Sequence, residues 1–158
     1  MQADVDAVVV VGGTGCGRDD HAVATLAAVG EVEVHGIGLI PGETAAFGMV
    51  GTRPVLALPG RLDAALAGWH ILGQAMLARL AANNEQPCIR AAKLMRKVSS
   101  SAGLAELVPV RCDGLFATPI ASAYVPVSAL AQANGWILVP SESEGYQAHS
   151  KVMIRPSP

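Results

Sequence analysis

The sequence predicts an α/β layered unit with a mostly parallel sheet, followed by a small all-β unit. Three observations carry that expectation. Val8-Val9-Val10-Val11 is a run of β-branched residues that breaks into Gly12-Gly13-Thr14-Gly15-Cys16-Gly17 and then into acids. Strand and helix signals then follow one another as far as residue 82. Beyond residue 88 the helical periods give way to short segments rich in Val, Leu, Ile and Tyr, divided by turn residues. Alternating elements point to layered α/β packing, and regular short strands with turns between them point to a small β unit.

Four consecutive valines favour a strand buried on both faces, and the glycines after them permit positive φ and close backbone approach to a ligand. Strand, anion-binding loop and helix start is one reading, and a tight strand-to-helix turn without a ligand is the other. Asp19 or Asp20 is placed to cap the helix that follows. That helix, His21 to Val29, sets Val23, Leu26 and Ala27 on one side and ends at Gly30. Glu31 to His35 alternates polar with apolar, and Gly36 to Ile40 is wholly apolar before Pro41-Gly42, so one strand leading into a turn is expected. Ala45 to Val50 and Val55 to Leu58 form a hairpin through Gly51-Thr52-Arg53-Pro54. Pro59-Gly60 precedes a helix from Arg61 to Ala82, whose Leu62, Leu66, Trp69, Gly73, Met76 and Leu80 recur at the spacing of a core-facing stripe. Asp63, His70 and Gln74 interrupt its apolar run, which argues against a membrane span.

Asn83 to Pro87 has breaker chemistry and no hydrophobic period, and a domain boundary is expected there, separating residues 1–82 from 88–158. Arg90, Lys93, Arg96 and Lys97 form a basic cluster, followed by Ser99-Ser100-Ser101. An anion contact and a solvated face are the two readings of it. Strands are expected at Leu107–Arg111, Leu115–Ile120, Tyr124–Val127, Trp136–Val139 and Lys151–Arg155, with one helical turn over Ser128–Ala133 capped by Ser128.

Composition narrows the function classes. At 158 residues and 51% hydrophobic content the chain can bury a core. A net charge of −2 and 4% aromatic residues supply neither a basic footprint nor stacking platforms for nucleic acid. Cys16, Cys88 and Cys112 are odd in number and unpaired in spacing, which suggests neither a disulfide framework nor a zinc site and fits a reducing cytoplasm. The acidic N-terminus is wrong for a signal peptide. His21, His35, His70 and His149 lack metal-ligand spacing, and no nucleophile elbow is present. Cys16 reads either as a reactive thiol or as a small packing residue.

Gly12-Gly13-Thr14-Gly15-x-Gly-x-x-Asp20 resembles the molybdopterin-binding signature of the molybdenum cofactor biosynthesis proteins. Pro41-Gly42-Glu43-Thr44-Ala45-Ala46-Phe47-Gly48 is similar to the Pro-Gly-Lys-Pro-x-x-Phe-Gly segment of the molybdopterin molybdenumtransferases, and Leu58-Pro59-Gly60-Arg61 to their Leu-Pro-Gly-Asn. Leu130 to Pro140, with Glu144-Gly145, resembles the family's last, β-rich domain. The resemblance implies the second half of a three-layer molybdopterin-binding domain, followed by that small β domain. It implies a cytoplasmic transferase that inserts molybdate into molybdopterin, with molybdopterin as substrate or ligand and magnesium and molybdate as accompanying ions.

On this resemblance Gly12, Gly13, Thr14, Gly15, Cys16 and Gly17 hold the pterin phosphate, and Asp20 is the catalytic candidate. Pro41, Gly42, Pro59, Gly60 and Arg61 complete the cofactor site. Two departures bear on it: family lysines beside and within the Pro-Gly segment are replaced here by Ile40 and Glu43, which weakens oxyanion capture, while Arg61 stands in place of Asn. Arg61 either returns a cation to the site or points to solvent. A non-catalytic binding module (carrier, sensor or partner subunit) is therefore the alternative function. The family's first strand-helix-strand of this domain has no counterpart in the sequence, so a homodimer, or a chain supplying the missing half-domain, is expected to cover the Val8–Val11 strand.

Overall fold

A computed structural model describes residues 4–83, 89–122 and 124–157. The chain forms two compact units, Met1–Ile37 with Gly42–Glu85 and Gly38–Pro41 with Gln86–Pro158. The boundary segment expected at 83–87 lies, apart from Asn83, outside the described residues.

In the first unit, β1 (Val8–Val11) runs parallel to β5 (Arg53–Leu58), with Val8 opposite Val55 and Val11 opposite Leu58. β4 (Ala46–Val50) is antiparallel to β5, and β2 (Glu31–His35) antiparallel to β4, giving the order β1-β5-β4-β2. The hairpin over Gly51-Thr52 is present as expected. The sheet is mixed, however, and not mostly parallel. Parallel neighbours need a long crossover, and the hairpin instead sets β4 against β5 in the opposite sense. Helix α1 (Ala22–Val29) carries the chain from β1 to the far edge, where β2 again runs in the direction of β1.

Side-chain alternation sorts the layers. Leu56, Leu58 and Phe47 share a face with Ala65, Met76, Trp69 and Leu72 of the long helix, whereas Gly48, on the opposite face, lies under Leu26 of α1. The sheet is thus covered on both sides. The long helix is α2 (Leu62–Gly68), a π-helical segment at Trp69–Gly73, and α3 (Gln74–Leu80). Gly73 is buried under the Trp69 ring, where a Cβ would lie 2.2 Å from the ring carbon Cε3. The ends of the expected stripe are not core: Leu62 is 50% and Leu80 42% exposed.

Two local expectations fail for physical reasons. The strand expected over residues 31–40 stops at His35, because Gly36 takes φ +86 and the chain leaves the sheet. Leu39–Ile40, β3, pairs instead with the second unit, opposite Ala105 and Glu106. The base of this excursion is pinned by Gly36 N–H donating to Ala45 O and Ile37 N–H to Glu43 O. The second concerns β1, expected to be buried on both faces. Val8, Val9 and Val11 are 38%, 42% and 63% exposed, because β1 is the outermost strand of its sheet.

In the second unit, β6 (Arg90–Leu94), β8 (Ala105–Asp113), β9 (Phe116–Pro119), β10 (Gly135–Val139) and β12 (Lys151–Pro156) close on themselves, since β10 pairs with both β12 and β8. A closed barrel removes free edges. Its interior holds Leu94, Val108, Val110, Ile137, Val139, Val152 and Ile154. Two smaller strands, β7 (Val98–Ser99) and β11 (Gly145–Tyr146), pair beside it. The strand expected at Tyr124–Val127 does not form. Pro126 takes the N-cap position of a short helix, α4 (Val127–Leu130), so Ser128 lies inside the turn it was expected to cap.

Candidate functional site

The carboxyl ends of β1 and β5 lie side by side because these strands pair in parallel register, and each ends in a glycine loop. Ligands of α/β sheets characteristically sit outside such strand ends. Gly12 and Gly13 take φ +97 and +72, which turns the chain sharply out of β1. Gly12 N–H donates to Leu58 O at 2.8 Å, and a Cβ on Gly60 would lie 3.4 Å from Gly12 Cα, so the two loops are in backbone contact. β4, antiparallel to β5, starts at the same end and brings Glu43 and Thr44 with it.

The result is a cavity of about 320 Å³ lined by Gly13, Thr14, Gly15, Asp20, Glu43, Thr44, Pro59, Gly60, Arg61 and Ala64, all of the first unit. Thr14 is buried, shares a hydrogen bond with Thr44 Oγ1 at 3.0 Å, and its carbonyl oxygen lies 3.0 Å from His35 Nε2. That network fixes the loop to the strand β2 and to the segment before β4.

Asp20 does not cap α1. The N-cap position is His21, without a side-chain hydrogen bond, and the Asp20 carboxylate instead accepts Gly17 N–H at 2.8 Å. The loop is therefore closed by its own acid. Gly15 and Gly17 make room for it, since a Cβ on Gly15 would lie 2.7 Å from Asp20 Oδ2. Arg61 Nε donates to Asp63 Oδ1 at 2.6 Å; the guanidinium is half exposed at the cavity while Asp63 is buried and also accepts Ala64 N–H. The Glu43 carboxylate accepts Gly42 N–H at 2.9 Å. The cavity thus presents two carboxylates, Asp20 and Glu43, and one guanidinium, itself tied to a third carboxylate.

Of the residues expected from sequence, Gly13, Thr14, Gly15, Asp20, Pro59, Gly60 and Arg61 converge on the cavity. Gly12 touches the lining residue Gly60 through its backbone without lining the cavity itself, and Cys16, Gly17 and Gly42 are not among its lining residues. Pro41 belongs to the second unit. Thr44, Ala64, His35 and Asp63 escaped sequence reasoning. Thr44 had a signal in the Pro-Gly segment, whereas a single histidine at a strand end carries none. Among the described residues no group of three or more His, Cys, Asp or Glu is placed to hold a metal.

Cys16 is exposed, while Cys112 is partly buried and its thiol is raised above the ordinary range by that burial, with Arg90 opposing the rise. Alkylation proceeds through the thiolate. Iodoacetamide at pH 8 is expected to modify Cys16 before Cys112, with the gap narrowing as pH rises; peptide mapping that finds Cys112 labelled first would contradict this.

These features define an α/β unit with a glycine-loop cavity at the paired ends of its strands, and a separate β-barrel unit. Residues 1–79 match the family described as a probable molybdopterin binding domain, and residues 91–155 the MoeA C-terminal region, domain IV. The chain belongs to this MoeA family of molybdenum cofactor biosynthesis proteins.

It is 29% identical over 143 residues to a molybdopterin biosynthesis protein of Methanocaldococcus jannaschii, covering 90% of this chain and 34% of that one. It is 34% identical over 79 residues to the molybdopterin molybdenumtransferase of Haemophilus influenzae, covering 50% of this chain and 20% of that one. Among solved structures it is similar to a molybdopterin biosynthesis MoeA protein of Pyrococcus horikoshii, with TM-score 0.82 and 27% identity over 97% of this chain and 37% of that one. A molybdenum cofactor biosynthesis protein of Pyrococcus furiosus shares the fold, with TM-score 0.76 at 23% identity, over 96% of this chain and 48% of that one. The chain spans about a third of the first of these relatives. No described helix is long and apolar enough to cross a membrane.

Proposed function

We propose that the chain binds molybdopterin in the glycine-loop cavity and takes part in the insertion of molybdate into it. The observation that carries this is the convergence of Gly13–Gly15, Thr44 and Pro59–Arg61 at the paired ends of β1 and β5. Backbone amides at such a turn suit a terminal phosphate. The amides of Gly12 and Gly17 are spent on Leu58 O and on Asp20, which leaves the cavity-lining Gly13, Thr14 and Gly15 for that role. Arg61, held by Asp63, adds a planar cation on the opposite wall. Asp20 keeps the loop closed and faces the ligand. Magnesium fits only as a companion of the ligand: Asp20 and Glu43 can contribute carboxylates, with substrate phosphate completing its shell.

A second reading, a module that binds molybdopterin without transferring metal, is favoured by one observation. Glu43 places a carboxylate on the cavity wall, and a carboxylate repels an approaching oxyanion. Titration calorimetry decides between them. Binding of molybdopterin followed by a molybdate-dependent heat, and reconstitution of an apo-molybdoenzyme from adenylylated molybdopterin and molybdate, supports insertion. Molybdopterin binding without a molybdate effect supports the module, and no binding of either ligand removes both.

Gly15→Ala tests the site directly. The new Cβ drives the Asp20 carboxylate off Gly17 N–H, and molybdopterin affinity is expected to fall about tenfold, the worth of one charge-assisted hydrogen bond. Because that contact is exposed, the unfolding midpoint should hardly move. An unchanged affinity would separate Asp20 from binding.

The exposed valines of β1 suggest that another polypeptide covers this strand, most simply a second copy of the chain pairing edge to edge.

A further inference from the structure

The basic cluster of the second unit is divided by the fold. Arg90 and Lys93 stand on β6, whereas Arg96 and Lys97 follow it and line a separate cavity of about 240 Å³ with Ser99 and Ser122. Its remaining lining is Val98, Val108, Pro119, Ile120 and Ala121, and no carboxylate belongs to it. Val98 and Val108 are buried members of the barrel core, so the floor is apolar. The walls are built. The Arg96 guanidinium donates to Pro119 O, Ile120 N–H donates to Pro109 O at 3.0 Å, and Ser99 is paired with Gly145 between β7 and β11. Among the described residues neither Arg96 nor Lys97 forms an ion pair with a carboxylate.

We infer that this cavity is a second anion site, which takes a phosphate monoester carried on a small apolar body. Two cations and two hydroxyls, all at exposed positions around the buried Val98, Val108 and Pro119, supply donors for a tetrahedral oxyanion. A cavity of this volume holds more than a bare phosphate, and its valine and isoleucine side chains match an apolar substituent. Arg96 is preorganised by the Pro119 carbonyl, so less side-chain freedom is lost when an anion arrives. The site lies wholly within the second unit and is independent of the molybdopterin reading.

The test is an amide-resolved NMR titration of the full chain with phenyl phosphate and with inorganic phosphate, against sodium chloride at matched ionic strength. Saturable shifts confined to residues 96–99 and 119–122 are expected, with phenyl phosphate the tighter ligand. Lys97→Ala, at an exposed position that leaves the Arg96 clamp intact, should weaken binding about tenfold with an otherwise unchanged spectrum. Arg96→Gln, which removes the charge but keeps an amide N–H donor on a shorter side chain, should weaken binding similarly. Tighter binding of inorganic phosphate would keep the anion site and discard the organic ligand. Shifts matched by chloride, or left unchanged by Lys97→Ala, would overturn the proposal.

Discussion

Replacing Gly48 with valine is expected to destabilise the first unit severely, by about 3 kcal/mol or more. Gly48 sits in the middle of β4, between β2 and β5, where β2 carries a register shift between Val32 and Val34. That irregularity brings the backbone of Glu31 so close that a Cβ at residue 48 would lie 2.1 Å from the Glu31 carbonyl oxygen and 3.0 Å from Leu26 Cδ2. A carbonyl in a paired strand cannot swing away as a side-chain tip can, so either the β2–β4 pairing opens or α1 lifts from the sheet. Overpacking in well-packed cores costs about 1–3 kcal/mol, and a collision with paired backbone belongs at or above the top of that range. Against a typical total of roughly 5–15 kcal/mol, such a loss is severe. Far-UV circular dichroism and thermal unfolding give the readout. A variant that melts within about two degrees of the parent would show that β2 has room to move. Phe47→Leu, a smaller change at a half-buried neighbour, serves as the control.

The second large effect tests the proposed pairing of two copies along β1. If the chain pairs in that way, Val9→Lys with Val11→Lys is expected to turn the dimer into a monomer. Both valines lie on the outermost strand of the first sheet, at 42% and 63% exposure. In a symmetric pair each substitution counts twice. At roughly 1 kcal/mol for each partly exposed valine, the double variant loses about 4 kcal/mol, which is near a thousandfold in dissociation constant before repulsion between lysines is added. Sedimentation velocity at micromolar concentration reads the result directly. If the chain instead relies on a different polypeptide, the parent should aggregate or bind a hydrophobic dye, and the two lysines should suppress both. A parent chain that is a compact monomer with no dye binding would rule out the covered edge altogether.

Much of this protein is written in short-range signals. Four valines stop at two glycines because β-branched residues prefer extended backbone and Gly12 and Gly13 supply the positive φ that ends it. The hairpin at Gly51-Thr52, the helix after Pro59-Gly60 and most of the barrel strands depend on periods and turns that operate over a few residues, and these were legible. Pairing across distance was not. Parallel register between β1 and β5 joins residues 8–11 to 55–58, and it alone sets Gly13–Gly15 beside Pro59–Arg61. The chain's excursion at Leu39–Ile40 and the closure of the barrel between β10 and β8 were decided the same way, by which edges remained to be paired.

Two side-chain choices at the site are local: the Asp20 carboxylate turns to Gly17, three residues back, and not to the start of α1, and the buried Asp63 holds Arg61, two residues away. Sequence by itself determined the glycine loops, their acid and the strands that carry them. Only the tertiary structure decided which of those residues share a cavity, which valines lie at a strand edge and that Arg96 and Lys97 of the basic cluster line one cavity with Ser99 and Ser122, since each is a consequence of contacts between segments far apart in the chain.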